Sequence, residues 1–287
     1  MKQSVSSLEC SLSYVPCFLL AIMYVSSLYI WRNKDPSNHP ETIKRRFLSI
    51  LGVTTISPFY VSYFIHQDLL TEHSLWKILG LRWEGLLPAL VFPLILTAVL
   101  FLGPISMEGF SGLWRIYFEP RYWVSYMKEW IWIRNYVVAP ITEEFTFRAC
   151  MLSLIIHCTN PITAVLVCPV FFGAAHLHHM NEQIKLGVKW TIALATSCFQ
   201  FTYTSIFGAY SAYLFLRTGH LIAPILVHAF CNHMGFPDFG ALQMMQPLQR
   251  KVSMLCFALG LILWGLLLEP MTEPFIYKND LPWSSDI

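Results

Sequence analysis

The sequence predicts an all-α fold: a polytopic membrane bundle of about eight transmembrane helices around an intramembrane cavity that faces the cytosol. Three observations point there. Hydrophobic residues make up 55% of the chain and charged residues only 13%, far from the balance of a water-soluble domain. Apolar runs of roughly 20 residues, the length that crosses a hydrocarbon core of about 30 Å as a helix, recur along the chain. Inside one of these runs, "VVAPITEEFTFRACMLSLII", stand Glu143, Glu144 and Arg148. On insertion scales an ionisable group at the bilayer centre costs roughly 2.5 kcal/mol or more, so the three need a physical reason.

The expected spans run over 12–31, 47–65, 86–103, 133–157, 161–177, 190–216, 221–236 and 251–268, within a single domain covering 1–287. The first resembles a secretory signal in length. It lacks a small-residue cleavage site and is followed by Arg32, Lys34, Lys44, Arg45 and Arg46, so it reads as an uncleaved anchor. Those charges, against Lys2 alone before the span, place the first loop in the cytosol and the amino terminus in the lumen or exterior. Alternation from there puts Arg115, Arg121 and Lys128, then Lys185 and Lys189, then Arg250 and Lys251 on the cytosolic side too. Between the third and fourth spans, residues 104–132 carry Trp114, Tyr117, Tyr122, Trp123 and Trp130, rings that favour headgroup depth, so this stretch is expected to lie along the interface. The tail "KNDLPWSSDI" is polar and expected to fray.

Several function classes drop out. A net charge of +2, without Lys or Arg clusters interleaved with aromatic residues, argues against a nucleic-acid partner. The eight cysteines lie mostly in apolar runs without a CxxC pair and read as buried free thiols. No HExxH zinc motif and no GxSxG nucleophile elbow occurs. Cys231 lies between His228 and Asn232 but faces another side of its helix, which disfavours it as a nucleophile.

The polar residues inside the spans fall into three groups. Glu144 and Arg148, four apart, share a helix face and neutralise each other. Glu143 points about 100° away on a helix of 3.6 residues per turn and has no local partner. In "FFGAAHLHH", Phe172 and His176 are four apart; in "LVHAFCNHMG", His228 and Asn232 are four apart. An isolated intramembrane His or Asn can equally serve as an interhelical hydrogen-bonding residue, and His178, His179, His220 and His233 are assigned to interfaces. In the predicted topology, however, Glu143, His176, His228 and Asn232 can all meet in one cytosol-facing cavity. A carboxylate and an imidazole aimed at one water molecule can make it a nucleophile. A second imidazole and an amide are suitable donors to the oxyanion that forms on a carbonyl. Gln200, Tyr203 and Thr204 of the sixth span are candidate wall residues, whereas Gly208 and Ser211 suit helix packing as well.

The order EExxxR, FxxxH, HxxxN, here Glu143, Glu144 and Arg148, then Phe172 and His176, then His228 and Asn232, resembles the type II CAAX prenyl endopeptidases, the Ras-converting enzyme family. The likeness covers roughly 133–270. It implies an eight-helix protease of the endoplasmic reticulum membrane, acting on CAAX proteins such as small GTPases whose cysteine already carries a farnesyl or geranylgeranyl group. The last three residues would be released. By the same resemblance Glu143 and His176 activate water, His228 and Asn232 stabilise the oxyanion, and Glu144 and Arg148 support the site and help hold the substrate tail. No metal or other cofactor is implied, and the surrounding lipid is a partner. A prenyl chain partitions into lipid at about 0.8 kcal/mol per buried methylene, so a cavity open to both lipid and cytosol spares the extraction of that anchor. Two alternatives stay open at this level: an intramembrane zinc hydrolase with His176, His228 and Glu143 as ligands, and a non-enzymatic membrane carrier or prenyl-protein receptor.

Overall fold

The computed structural model describes residues 7–31 and 36–284, with side chains from residue 13 onward. Lys2, Arg32, Lys34, the Cys10 side chain and the last three residues therefore lie outside the described residues. Among those described there is no strand.

Eight principal helices coincide with the eight predicted spans. They are α1 (Ser7–Ser27), α2 (Pro40–Phe64), α3 (Leu86–Leu100), α4 (residues 130–155), α5 (Pro161–Ala175), α6 (Trp190–Thr218), α7 (Ile222–Met234) and α8 (Pro247–Met271). Three stretches are long and apolar enough to cross a bilayer unaided: Pro40–Phe64, Pro161–Lys185 and Pro247–Met271. A fourth crossing results if Leu86–Leu100 and Leu102–Ser111, bent by 73° at Phe101, form one span. The count of about eight thus holds for helices rather than for independently apolar spans. Helix α7 has only 13 residues, and α4 carries the three charged residues whose burial depends on its neighbours.

The outward surface is that of a membrane protein. Phe59 on α2 is 74% exposed and Leu266 on α8 is 69% exposed, a cost that water would impose and lipid removes. The buried apolar core lies instead where α1, α2, α4, α5 and α6 converge, around Cys17, Leu20, Phe147, Met151, Leu152, Phe172 and Phe215. Helix α5 packs along α6.

Local sequence explains the main features that matter for the site. Helix α5 starts where the Asn160 side chain accepts the Thr163 N–H at 2.8 Å with Pro161 in the first turn. Helix α4 continues as one rod but widens into π-helical geometry over Arg134–Val138 and again over Phe145–Cys150. The first widening precedes Pro140, whose missing N–H and bulky ring disrupt the ordinary ladder at that point. The six residues between the two widened turns, Ala139–Glu144, carry both glutamates.

The two ends of the bundle are defined by loop contacts. At one end Arg46 of α2 meets Glu182 after α5, and His233 of α7 meets Tyr117 of the 104–132 stretch; Lys185 and Arg250 lie in neighbouring segments. Of the cations expected on the cytosolic side, Arg46 is thereby placed at this end. The 104–132 stretch forms Leu102–Ser111, Leu113–Phe118 and Pro120–Tyr126 in succession, with Leu113, Trp114 and Phe118 exposed. At the opposite end the described part of the tail, through Ser284, is not frayed. Leu281, Trp283 and Ser284 are buried, and Asn279 donates to the carbonyls of Leu216 and Arg217 at 2.9 and 3.0 Å. The sequence reading failed there because the tail's polar groups find partners on the end of α6, more than 60 residues away, which no local pattern reveals.

Candidate active site

A cavity of about 580 Å³ opens between α1, α2, α4, α5, α6 and α7 at the end where Arg46 lies. Glu143, Phe172, His176, His228 and Asn232 all line it. Glu144 and Arg148 do not. The spacing argument about the adjacent glutamates is thereby resolved in space: the Glu143 side chain is 19% exposed and faces the cavity, whereas that of Glu144 is fully buried.

Glu144 organises the dry side. Its Oε2 receives Arg148 Nε at 3.2 Å and the Ser211 hydroxyl at 2.5 Å, and its Oε1 receives His228 Nδ1 at 2.7 Å. The Arg148 guanidinium also lies over the Phe172 ring at 4.1 Å and near Phe207 at 5.8 Å, so aromatic faces share in holding its charge. Its two terminal nitrogens have no hydrogen-bond partner. Gly208 makes room for them, since a Cβ there would stand 3.1 Å from Arg148 Nη2 and 2.8 Å from Pro169 Cβ. Both members of this pair are buried and neither lines the cavity. Removing one charge of such a pair leaves the other buried and uncompensated.

The wet side follows from it. With Nδ1 given to Glu144, His228 presents Nε2, which stands 3.9 Å from Glu143 Oε2. The His228 ring is flanked edge-on by Phe207 and Phe172. His176 Nδ1 lies 2.8 Å from the Phe172 carbonyl. A carbonyl can only accept, so the proton sits on Nδ1 and the neutral ring offers Nε2 as a proton acceptor. Asn232 Nδ2 donates to the Asn135 carbonyl at 2.8 Å, and a primary amide has a second N–H to give. The set therefore contains a carboxylate, a proton-accepting imidazole and two further groups with unspent valence around shared space.

Sequence reasoning missed part of this wall. Ser211 is a partner of Glu144 rather than a packing position. Thr204 is buried and turned back on the Gln200 carbonyl, while Gln200 and Tyr203 do line the cavity. Arg46, Arg134, Asn135, His179 and Glu182 line its mouth; the polar and charged residues that open "RNYVV" and fill "HHMNEQIK" were the available signal. His178 and His179 line the cavity, His233 Nε2 meets the Tyr117 hydroxyl at 3.1 Å, and buried His220 Nε2 meets the Glu84 carbonyl at 2.8 Å. Cys231 packs away from the site, beside Leu214 and Val227. Among the described residues no three His, Cys, Asp or Glu side chains are arranged to hold a metal ion, so the zinc-hydrolase alternative gains no geometric support.

Comparison with known proteins bears on this geometry directly. The model of the type II CAAX prenyl endopeptidase Rce1-like family matches residues 125–234, which include all seven motif residues. The human protein named CAAX prenyl protease 2 is 43% identical over 279 residues, covering 94% of this chain and 84% of that protein. The chain belongs to the type II CAAX prenyl endopeptidase family. Proteins of the same name from Caenorhabditis elegans, 34% identical over 76% of this chain and 81% of that protein, and from Saccharomyces cerevisiae, 31% identical over 78% and 80%, are further relatives. No solved structure matches the chain. The relatives extend well beyond the matched family segment, so the endopeptidase likeness takes in α1 and α2, which close the cavity on the side facing α4.

Proposed function

We propose that this protein is a membrane endopeptidase that removes the AAX tripeptide from prenylated CAAX proteins. The observation that carries the reading is the pairing of a cavity-facing Glu143 with His228 at 3.9 Å, in the same cavity as His176 and Asn232, within a chain of this family.

Each group has a task its hydrogen bonds allow. Glu143 and His176 Nε2 each accept a hydrogen bond from a water molecule between them, and one of its protons passes to Glu143 as the oxygen attacks the carbonyl carbon of the prenylated cysteine; such base assistance contributes about 10² to 10⁴ in rate. The developing oxyanion receives the free N–H of Asn232, and His228 Nε2 donates to it when the ring carries a proton on both nitrogens. The proton taken from water passes to the leaving amine. Glu144, Arg148 and Ser211 fix the His228 ring, and Phe172 fixes His176 through its carbonyl. These residues position; they do not touch the reacting atoms.

The lipid-facing helices let the isoprenoid remain in apolar surroundings while the peptide meets water. Small GTPases with a CAAX terminus fit as substrates, the endoplasmic reticulum as the membrane, and residues 1–287 as a single domain. The test is incubation of purified protein with a farnesylated CAAX peptide, followed by mass spectrometry. Loss of the terminal tripeptide supports the reading. Intact substrate retained on the protein would establish a receptor or carrier instead.

A further inference from the structure

The cavity has a charge pattern that the hydrolytic chemistry does not use. Deep inside it is negative at Glu143. At the mouth stand two guanidiniums, Arg46 and Arg134, against the single carboxylate of Glu182. Arg46 Nη2 is paired with Glu182 Oε1 at 3.1 Å, and Glu182 is further engaged by His179 at 3.4 Å and by Tyr29 at 3.5 Å. That carboxylate is fully occupied. Arg134 is held only by neutral acceptors: Asn135 Oδ1 at 2.9 Å, Asn38 Oδ1 at 2.9 Å and the Ser37 carbonyl at 3.5 Å. Among the described residues it has no ion-pair partner. The buried Nε of Arg46 also lacks a hydrogen-bond partner. Arg134 feels both the like charge of Arg46 and the opposite charge of Glu182. The mouth thus has one positive charge in excess, the complement of a single anionic group.

A CAAX substrate supplies such a group, because it ends in a free α-carboxylate. Three extended residues span at most about 10 to 11 Å. Arg134 precedes Glu143 by nine residues on the same helix, about 13 Å along its axis, and its side chain covers the difference. Arg134 is also joined to the oxyanion donor, since its Nε donates to Asn135 Oδ1 while the Asn135 carbonyl accepts from Asn232. Arg148, the other arginine of α4, is sealed away and already paired.

We propose that Arg134, with Arg46 beside it, binds the substrate's free α-carboxylate and so sets the cut three residues from the chain end. This rests on the endopeptidase reading. Glu143 and Arg134 then act as the two ends of a ruler, and Arg134 is a positioning and specificity residue for the reaction rather than a catalytic one.

The test compares two farnesylated peptides of identical sequence, one ending in a free carboxylate and one in a C-terminal amide. Wild-type protein should cleave the amide with kcat/KM lower by about tenfold or more, the size expected when a charge-assisted hydrogen bond is lost. In Arg134→Gln the acid-to-amide ratio should fall towards one, and Arg134→Lys should retain part of it; Arg46→Gln should lower it less than Arg134→Gln. A purely structural Arg134 would reduce both rates by one factor and leave the ratio unchanged, which overturns the proposal. Equal wild-type rates on acid and amide overturn it without any variant. Failure of wild type to cleave either peptide sinks the endopeptidase reading itself, a different result from equal cleavage of both.

Discussion

The two ends of the bundle handle polar groups in opposite ways. At the end away from the cavity the loops are tied to one another by hydrogen bonds, with His157 Nε2, His220 Nδ1 and Trp283 Nε1 left buried and without a partner. Leu221 N–H donates to the Gly80 carbonyl at 3.0 Å, His220 Nε2 to that of Glu84 at 2.8 Å, and Arg82 to that of Tyr277 at 3.1 Å. Gly85, in the left-handed region at φ 80°, sits so close to Tyr277 that any Cβ would collide with its carbonyl. At the cavity end the side chains that matter keep capacity in reserve: Glu143 faces solvent, His176 and His228 each present Nε2, and Asn232 has a spare N–H. Closing a bundle requires spending hydrogen bonds, whereas binding and turning over a substrate requires withholding them. The fold separates the two demands by the full length of its helices.

Substitutions can break that contrast, and they rank by expected effect. His176→Ala at the cavity end should cut kcat by about 10² to 10⁴ with an unchanged thermal unfolding midpoint; a coupled fall in both would mean that His176 is structural. Arg148→Leu strips the buried Glu144 of its cation and should destabilise the protein by about 3 to 5 kcal/mol, read as a lower unfolding midpoint in detergent together with lost activity. Asn279→Ala leaves the Leu216 and Arg217 carbonyls without donors and should cost about 1 to 3 kcal/mol, while kcat/KM per folded molecule stays at the wild-type value. A catalytic defect in that variant would show that the two ends are coupled.

The smallest effect belongs to the exposed pair at the sealed end. Lys77 Nζ bonds Asp280 Oδ2 at 2.7 Å, and that hydrogen bond holds the Asp280 carboxyl below the usual range. A lowered folded value means that the pair stabilises the protein fully above the unfolded pKa, near 4, and loses that contribution as pH falls through the lower folded value. Because the carboxyl is largely exposed, Lys77→Ala should change stability at neutral pH by less than about 1 kcal/mol, and the difference from wild type should vanish in acid.

The eight helices were legible as apolar runs, although among the described residues only three of them are long and apolar enough to cross a bilayer unaided, and Glu143 was legible because a carboxylate without a local counterion inside such a run has no cheap structural excuse. What stayed hidden was every relation between distant helices. Ser211 reads as a small packing residue until it meets Glu144 across 67 positions. The buried tail reads as polar until Asn279 meets the end of α6. The same holds for Arg134 and Arg46, ordinary flanking cations by sequence that come together only when α2 and α4 pack at one cavity mouth. The bent third span and the π-helical turns escaped notice because hydropathy registers composition and not helical pitch.

Of the two adjacent glutamates, one is held to do chemistry and the other to hold a histidine, and a single comparison tests that division. Glu143→Gln, purified and matched to wild type in unfolding midpoint, is assayed for tripeptide release from a farnesylated CAAX peptide. The account predicts a well-folded protein with at least about 10²-fold lower turnover. Near wild-type turnover by that variant would contradict it.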